Sequence, residues 1–103
     1  MGDFTRVATT NDIPPGEMMI VEVDGVEVAI ANVDGEYFAF NNSCTHRGGP
    51  LGEGILTGDV VECPFHAGQF NVRTGQVVAQ PPVDPVQTYP VQIEGEEIRV
   101  AVN

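Results

Sequence analysis

Apolar side chains recur at every second position in two stretches of the chain, one near each end. Met19, Val21 and Val23, followed by Val26, Val28 and Ile30, have the period of half-buried strands. Asp24-Gly25 between them is a two-residue hairpin signal, and Asp34-Gly35 separates the second strand from a third at 36–40 in the same way. The pattern predicts a three-strand meander. A short strand at 4–8 precedes it, and 11–16 reads as a turn with at most one helical turn. Alternation resumes in Tyr89, Val91 and Ile93 and, after a turn at Glu94-Gly95, in Ile98, Val100 and Val102.

Between these stretches the order is lost. From 41 to about 85 the chain is rich in Gly and Pro, with short strand candidates at Val60–Glu62, 69–72 and 76–79. A loop-dense run of roughly 45 residues is unusual in a small domain unless something holds it. No ten residues show a helical stripe, and there is no internal repeat or linker. The expected architecture is all-β. An antiparallel β-sandwich base made by both chain ends (about 1–41 and 86–103) carries an inserted lobe (about 42–85).

Composition agrees with this plan. The 103 residues give room for one domain, and an apolar fraction of 42% suffices for a core. Burial stabilises so small a domain only marginally, so an inorganic cross-link in mid-chain would help it. Charge adds a functional constraint. With four Arg, no Lys and 15 acids, the net charge is −11, which disfavours nucleic acid and anionic membrane and suits partners with basic patches. A plain solubility charge explains it as well. The first ten residues contain no apolar run of signal-peptide or anchor length, and Arg6 breaks the myristoylation pattern. A reducing cytoplasm is therefore expected, where thiols serve metals or redox chemistry more often than structural disulfides.

Both cysteines and both histidines of the chain lie in the loop-dense run, as Cys44-x-His46 and Cys63-x-x-His66. Two thiolates and two imidazoles suit tetrahedral zinc or an iron–sulfur cluster. Zinc pairs usually stand two to four residues apart. The single residue between Cys44 and His46 instead suits extended backbone whose alternate side chains reach two neighbouring metals. A Cys44–Cys63 disulfide, or two buried cysteines beside two ordinary histidines, are the plainer readings.

With sixteen residues between His46 and Cys63, the pattern resembles the signature of Rieske proteins. Cys44-Thr-His-Arg-Gly-Gly-Pro-Leu51 and Cys63-Pro-Phe-His-Ala-Gly-Gln-Phe70 resemble the two cluster-binding loops of soluble Rieske ferredoxins. Pro81-Pro82-Val-Asp-Pro85 resembles their cluster-covering proline loop. The resemblance implies the Rieske fold and one 2Fe-2S cluster, with Cys44 and Cys63 on one iron and His46 and His66 on the other. Small residues at 48, 49, 67 and 68 would let backbone N–H groups approach the sulfides. Leu51, Phe65 and the prolines would exclude water, although core packing explains Leu51 and Phe65 equally well. Arg47 and Arg73 could offset the local negative field, touch a partner, or simply be solvated.

Departures from the respiratory branch of the family narrow the role. Its members carry an extra cysteine in each loop, where this chain has Gly49 and Phe65. They also carry Ser and Tyr hydroxyls, where this chain has Gly68 and Phe70. Each missing hydroxyl removes a donor that would stabilise the reduced state, so the low end of the Rieske range, about −150 to +300 mV, is expected. The resemblance then implies a monomeric carrier rather than an enzyme. It would take single electrons from a flavin-containing NAD(P)H-dependent reductase and pass them to a terminal, aromatic-ring hydroxylating oxygenase. No residues remain for a second iron site or for a cysteine–histidine nucleophile. Alternatives are the small Rieske subunit of an assimilatory nitrite reductase and a zinc-stabilised interaction module.

Overall fold

Strand β3 (Val26–Val33) is buried on both faces, because successive residues enter two different cores. The computed structural model describes residues 3–45, 48–65, 67–80 and 82–102. In it β3 lies at the centre of an antiparallel sheet, between β2 (Met18–Val23) and β4 (Glu36–Asn41). The predicted meander is present with both of its predicted turns. Asp24 and Gly25 have φ of 51° and 82°, and Asp34 and Gly35 have 52° and 93°. Two consecutive positive φ angles match the right-handed twist of the strands they join.

The half-buried expectation fails for β3. Its Val28 and Ile30 face a core shared with Ala8, Ile13, Val23, Ile98 and Val100. That core is closed by a second sheet, in which β11 (Glu97–Val100) lies between β1 (Thr5–Thr9) and β10 (Val91–Glu94). The opening strand thus pairs with the end of the chain, and a short 3-10 turn at Thr10–Asp12 leads from it towards the meander. Ala29, Ala31 and Val33 point the other way, into a core with Leu51, Val61, Phe70, Val72, Cys44 and Cys63.

That second core is closed by four short strands, β5 (Ile55–Thr57), β6 (Val60–Glu62), β7 (Gln69–Asn71) and β8 (Val77–Ala79), all antiparallel in that order. Strand β5 has no counterpart in the sequence prediction. Its hairpin with β6 turns through Gly58, at φ 61°.

The run Tyr89–Val91–Ile93 is two strands rather than one. β9 (Thr88–Tyr89) pairs with β4, β10 pairs with β11, and Pro90 stands between them. Proline has no N–H for a ladder, so the chain changes sheets where pairing must stop in any case. Arg73 ties the lobe to the meander. Its guanidinium lies 3.3 Å from Glu36 and 3.3 Å from Asp59, and 4.8 Å from the centre of the Phe38 ring.

Alanine at 29 and 31 sets the spacing of β3 from the lobe, since both are wholly buried. Ala31→Leu should cost about 1–3 kcal/mol through overpacking, seen as a lower urea midpoint at unchanged slope. Exposed Glu22→Gln on the neighbouring strand should stay within about 0.5 kcal/mol.

Candidate metal centre

Cys44 and Cys63 each open a six-residue loop that closes on itself. Cys44 N–H donates to the Gly49 carbonyl at 2.8 Å, and Cys63 N–H donates to the Gly68 carbonyl at 2.7 Å. Each loop turns through a left-handed residue at its fifth position, Gly48 at φ 73° and Ala67 at φ 59°. Alanine is disfavoured there by its Cβ, so the second loop holds a strained residue at the position after His66. His46, Arg47, His66 and Pro81 lie outside the described residues.

The first loop springs from the end of β4 and is pinned at its base. Ser43 bridges to Pro50, and Leu51 N–H donates to the Asn42 carbonyl at 2.7 Å. The buried Asn42 side chain accepts from Gly52 N–H at 2.7 Å and donates to Glu27 at 3.2 Å. This anchor escaped the sequence reading. Its one signal is the Asn-Asn-Ser run before Cys44, a turn-forming composition.

The loops bring the two sulfurs together. Both thiols are free and buried, and the Cys44 side chain lies within hydrogen-bonding reach of Cys63. Burial pushes the Cys63 thiol up. The Phe65 amide, donating to its sulfur at 3.4 Å, draws it back by less, and Cys44 beside it adds to the rise. A thiol so raised is a poor thiolate until a cation joins it, and metal ligation supplies that charge with release of protons. The donor chemistry fits a shared metal centre. Among the described residues no third Cys, His, Asp or Glu joins them.

Gly49 makes room for the site. A Cβ there would stand 2.8 Å from Cys63 Sγ and 2.9 Å from the Phe65 ring. Phe65 therefore lies against the other loop with half of its surface in solvent (50%), so core packing does not explain it. Leu51 and Phe70 are wholly buried. A Cβ on Gly68 would run into the Pro82 ring, and Thr45 Oγ1 donates to the Asp84 carbonyl at 2.8 Å. Beside Cys44 an open groove of about 630 Å³ is lined by Ser43, Thr45, Thr74, Gln76 and Gln87, amongst others. Among the described residues its lining side chains are all uncharged.

Comparison with known proteins agrees with this geometry. Residues 3–90 match the family model of the Rieske [2Fe-2S] domain. The chain is 49% identical over 98 residues to the biphenyl dioxygenase ferredoxin subunit of Pseudomonas sp. strain KKS102, covering 94% of this chain and 90% of the relative. It superposes on the ferredoxin of carbazole 1,9a-dioxygenase from Nocardioides aromaticivorans IC177 with a TM-score of 0.93. The identity there is 38%, over 97% of this chain and 98% of that one. A further match has a TM-score of 0.91 at 36% identity, over 95% of this chain and 92% of the other. It comes from a complex of reduced oxygenase and oxidized ferredoxin in carbazole 1,9a-dioxygenase. On its sequence and its fold alike, the chain belongs to the Rieske [2Fe-2S] domain family.

Proposed function

We propose that this chain is a low-potential Rieske ferredoxin, a carrier and not an enzyme. It would take single electrons from a flavin-containing NAD(P)H-dependent reductase and deliver them to a terminal oxygenase that hydroxylates aromatic rings. The observation that carries the reading is the pair of buried thiols joined by two closed loops. The names of relatives that are ferredoxin components of dioxygenase systems supply the partner class. Cys44, His46, Cys63 and His66 would hold the cluster on the lobe at about 42–85. The basal strands at about 1–41 and 86–103 would support that lobe. A cytoplasmic monomer suits such a shuttle.

When bound, the 2Fe-2S cluster supplies reversible one-electron chemistry near the potentials of its family. The chain's own residues tune and shelter it. Phe65 N–H offers a hydrogen bond to a ligand sulfur, whereas positions 68 and 70 offer no hydroxyl. Leu51 and Phe70 keep the inner side apolar. Among the described residues each arginine is already paired: Arg6 with Glu97, Arg73 with Glu36 and Asp59, and Arg99 with Glu94 and Glu97. Among the described residues, the charge left for partners is therefore acidic. No helix among the described residues is long and apolar enough to cross a membrane.

The purified protein should be red-brown, with two irons and two acid-labile sulfides per chain by the family pattern. Its midpoint in film voltammetry should lie below zero, near −150 mV at the low end of the range. Zinc without sulfide would end the cluster reading, and a midpoint well above zero would end the low-potential one. Gly49→Ala should lower iron and sulfide per chain and cost about 1–3 kcal/mol in urea unfolding, because the added methyl meets Cys63 Sγ and Phe65. Electron delivery to an oxygenase partner, followed by stopped flow, should slow as salt rises from about 10 to 150 mM and the Debye length falls from about 30 to 8 Å. A rate indifferent to salt would argue against charge-guided docking.

A further inference from the structure

The segment 82–85 has little means of holding itself in place. The run Pro81-Pro82-Val-Asp-Pro85 contains three prolines, so only Val83 and Asp84 carry an N–H. Among the described residues it takes part in no strand, and one hydrogen bond ties it to the rest of the chain: Thr45 Oγ1 to the Asp84 carbonyl, across 39 residues. Its other fixed point is steric. Pro82 is buried against Gly68, at a place where a Cβ could not fit. The remainder faces solvent, with Val83 75% exposed. One fixed point thus lies in each ligand-bearing loop, since Thr45 follows Cys44 and Gly68 closes the loop from Cys63.

We propose that 82–85 is a strap latched to the first loop by the Thr45 hydroxyl and seated on the second by Pro82, and that Thr45 is a positioning residue which keeps the cluster from solvent. This rests on the assignment of Cys44, His46, Cys63 and His66 as its ligands. Thr45 needs no contact with the metal. Its hydroxyl decides how often the strap lifts, and small reagents reach the site through the lifted state.

The test uses the cluster-loaded protein. Thr45→Val keeps the side-chain shape and deletes the donor, and Thr45→Ser restores the donor. Bleaching of the visible absorption by an excess of an iron chelator should be roughly two- to five-fold faster in T45V, the population change expected of one ordinary hydrogen bond. T45S should bleach at the parent rate, and Pro82→Ala should move in the direction of T45V. Amide exchange in the β3 core should stay at the parent rate, so that the faster bleaching reports a local opening at the tip. T45V that bleaches at the parent rate overturns the proposal. If the protein as purified carries no cluster, the ligand assignment fails, and the reaction of the buried Cys44 and Cys63 thiols with a small thiol reagent still decides the latch: an unchanged rate in T45V removes it.

Discussion

The approach of the Cys63 sulfur to the α-carbon of Gly49 is the contact on which the tip of the molecule depends. The same glycine accepts the hydrogen bond that closes the first loop, so closure and sulfur packing meet in one residue. On the other side Phe65 donates its N–H to that sulfur and lays its ring against Gly49. Any side chain at 49 would push the two loops apart. The resemblance puts a disulfide at these two positions in the respiratory branch. Here a ring packed on a glycine braces the loops without a covalent bond, and it leaves half of that ring exposed.

The loops also need a floor, and β3 provides it. Its alternate residues divide between two cores, with alanines on the side of the lobe and Val28 and Ile30 on the side of the basal sheets. Small side chains bring the lobe core, including both cysteines, close to the most protected strand of the protein. Asn42 then converts the end of β4 into the start of the first loop, using a buried amide that has partners for both its oxygen and its nitrogen. A buried polar group of this kind fixes one geometry because every alternative leaves it unsatisfied.

Most of the strand plan was legible in the sequence, because period two and the Asp-Gly pairs are local signals that the fold respects. What was not legible depends on partners distant in the chain. Val26 to Ile30 looks half-buried, since its alternation is clear, yet a second layer covers the other face. Tyr89 to Ile93 looks continuous, since period two cannot report that Tyr89 pairs with Ala39 while Val91 pairs with Val100. Pro90 was the available clue. Strand β5 is three residues with no alternation of its own and exists by pairing with β6. At the site, the two cysteines lie side by side, a pairing that only the family resemblance implied, whereas the supports at Asn42 and Thr45 come from residues too ordinary to single out. Arg73 was read three ways from its position near the loops, and its contacts with Glu36, Asp59 and Phe38 make it a clamp between layers.

Gly68 links two properties that the sequence presents separately. Read along the chain, it is a missing hydroxyl and so a lower potential. In three dimensions its hydrogen points at the Pro82 ring, and no side chain could be added without lifting the strap. A serine at 68 would therefore bring a potential donor to the second loop and open the site to water at the same time. These changes act together on the charged states of a metal centre, since hydrogen bonding and solvent access both favour the form with the extra electron. In the proposed carrier the tuning of the cluster and the fit of Pro82 over the second loop thus meet at one position, the missing Cβ of Gly68.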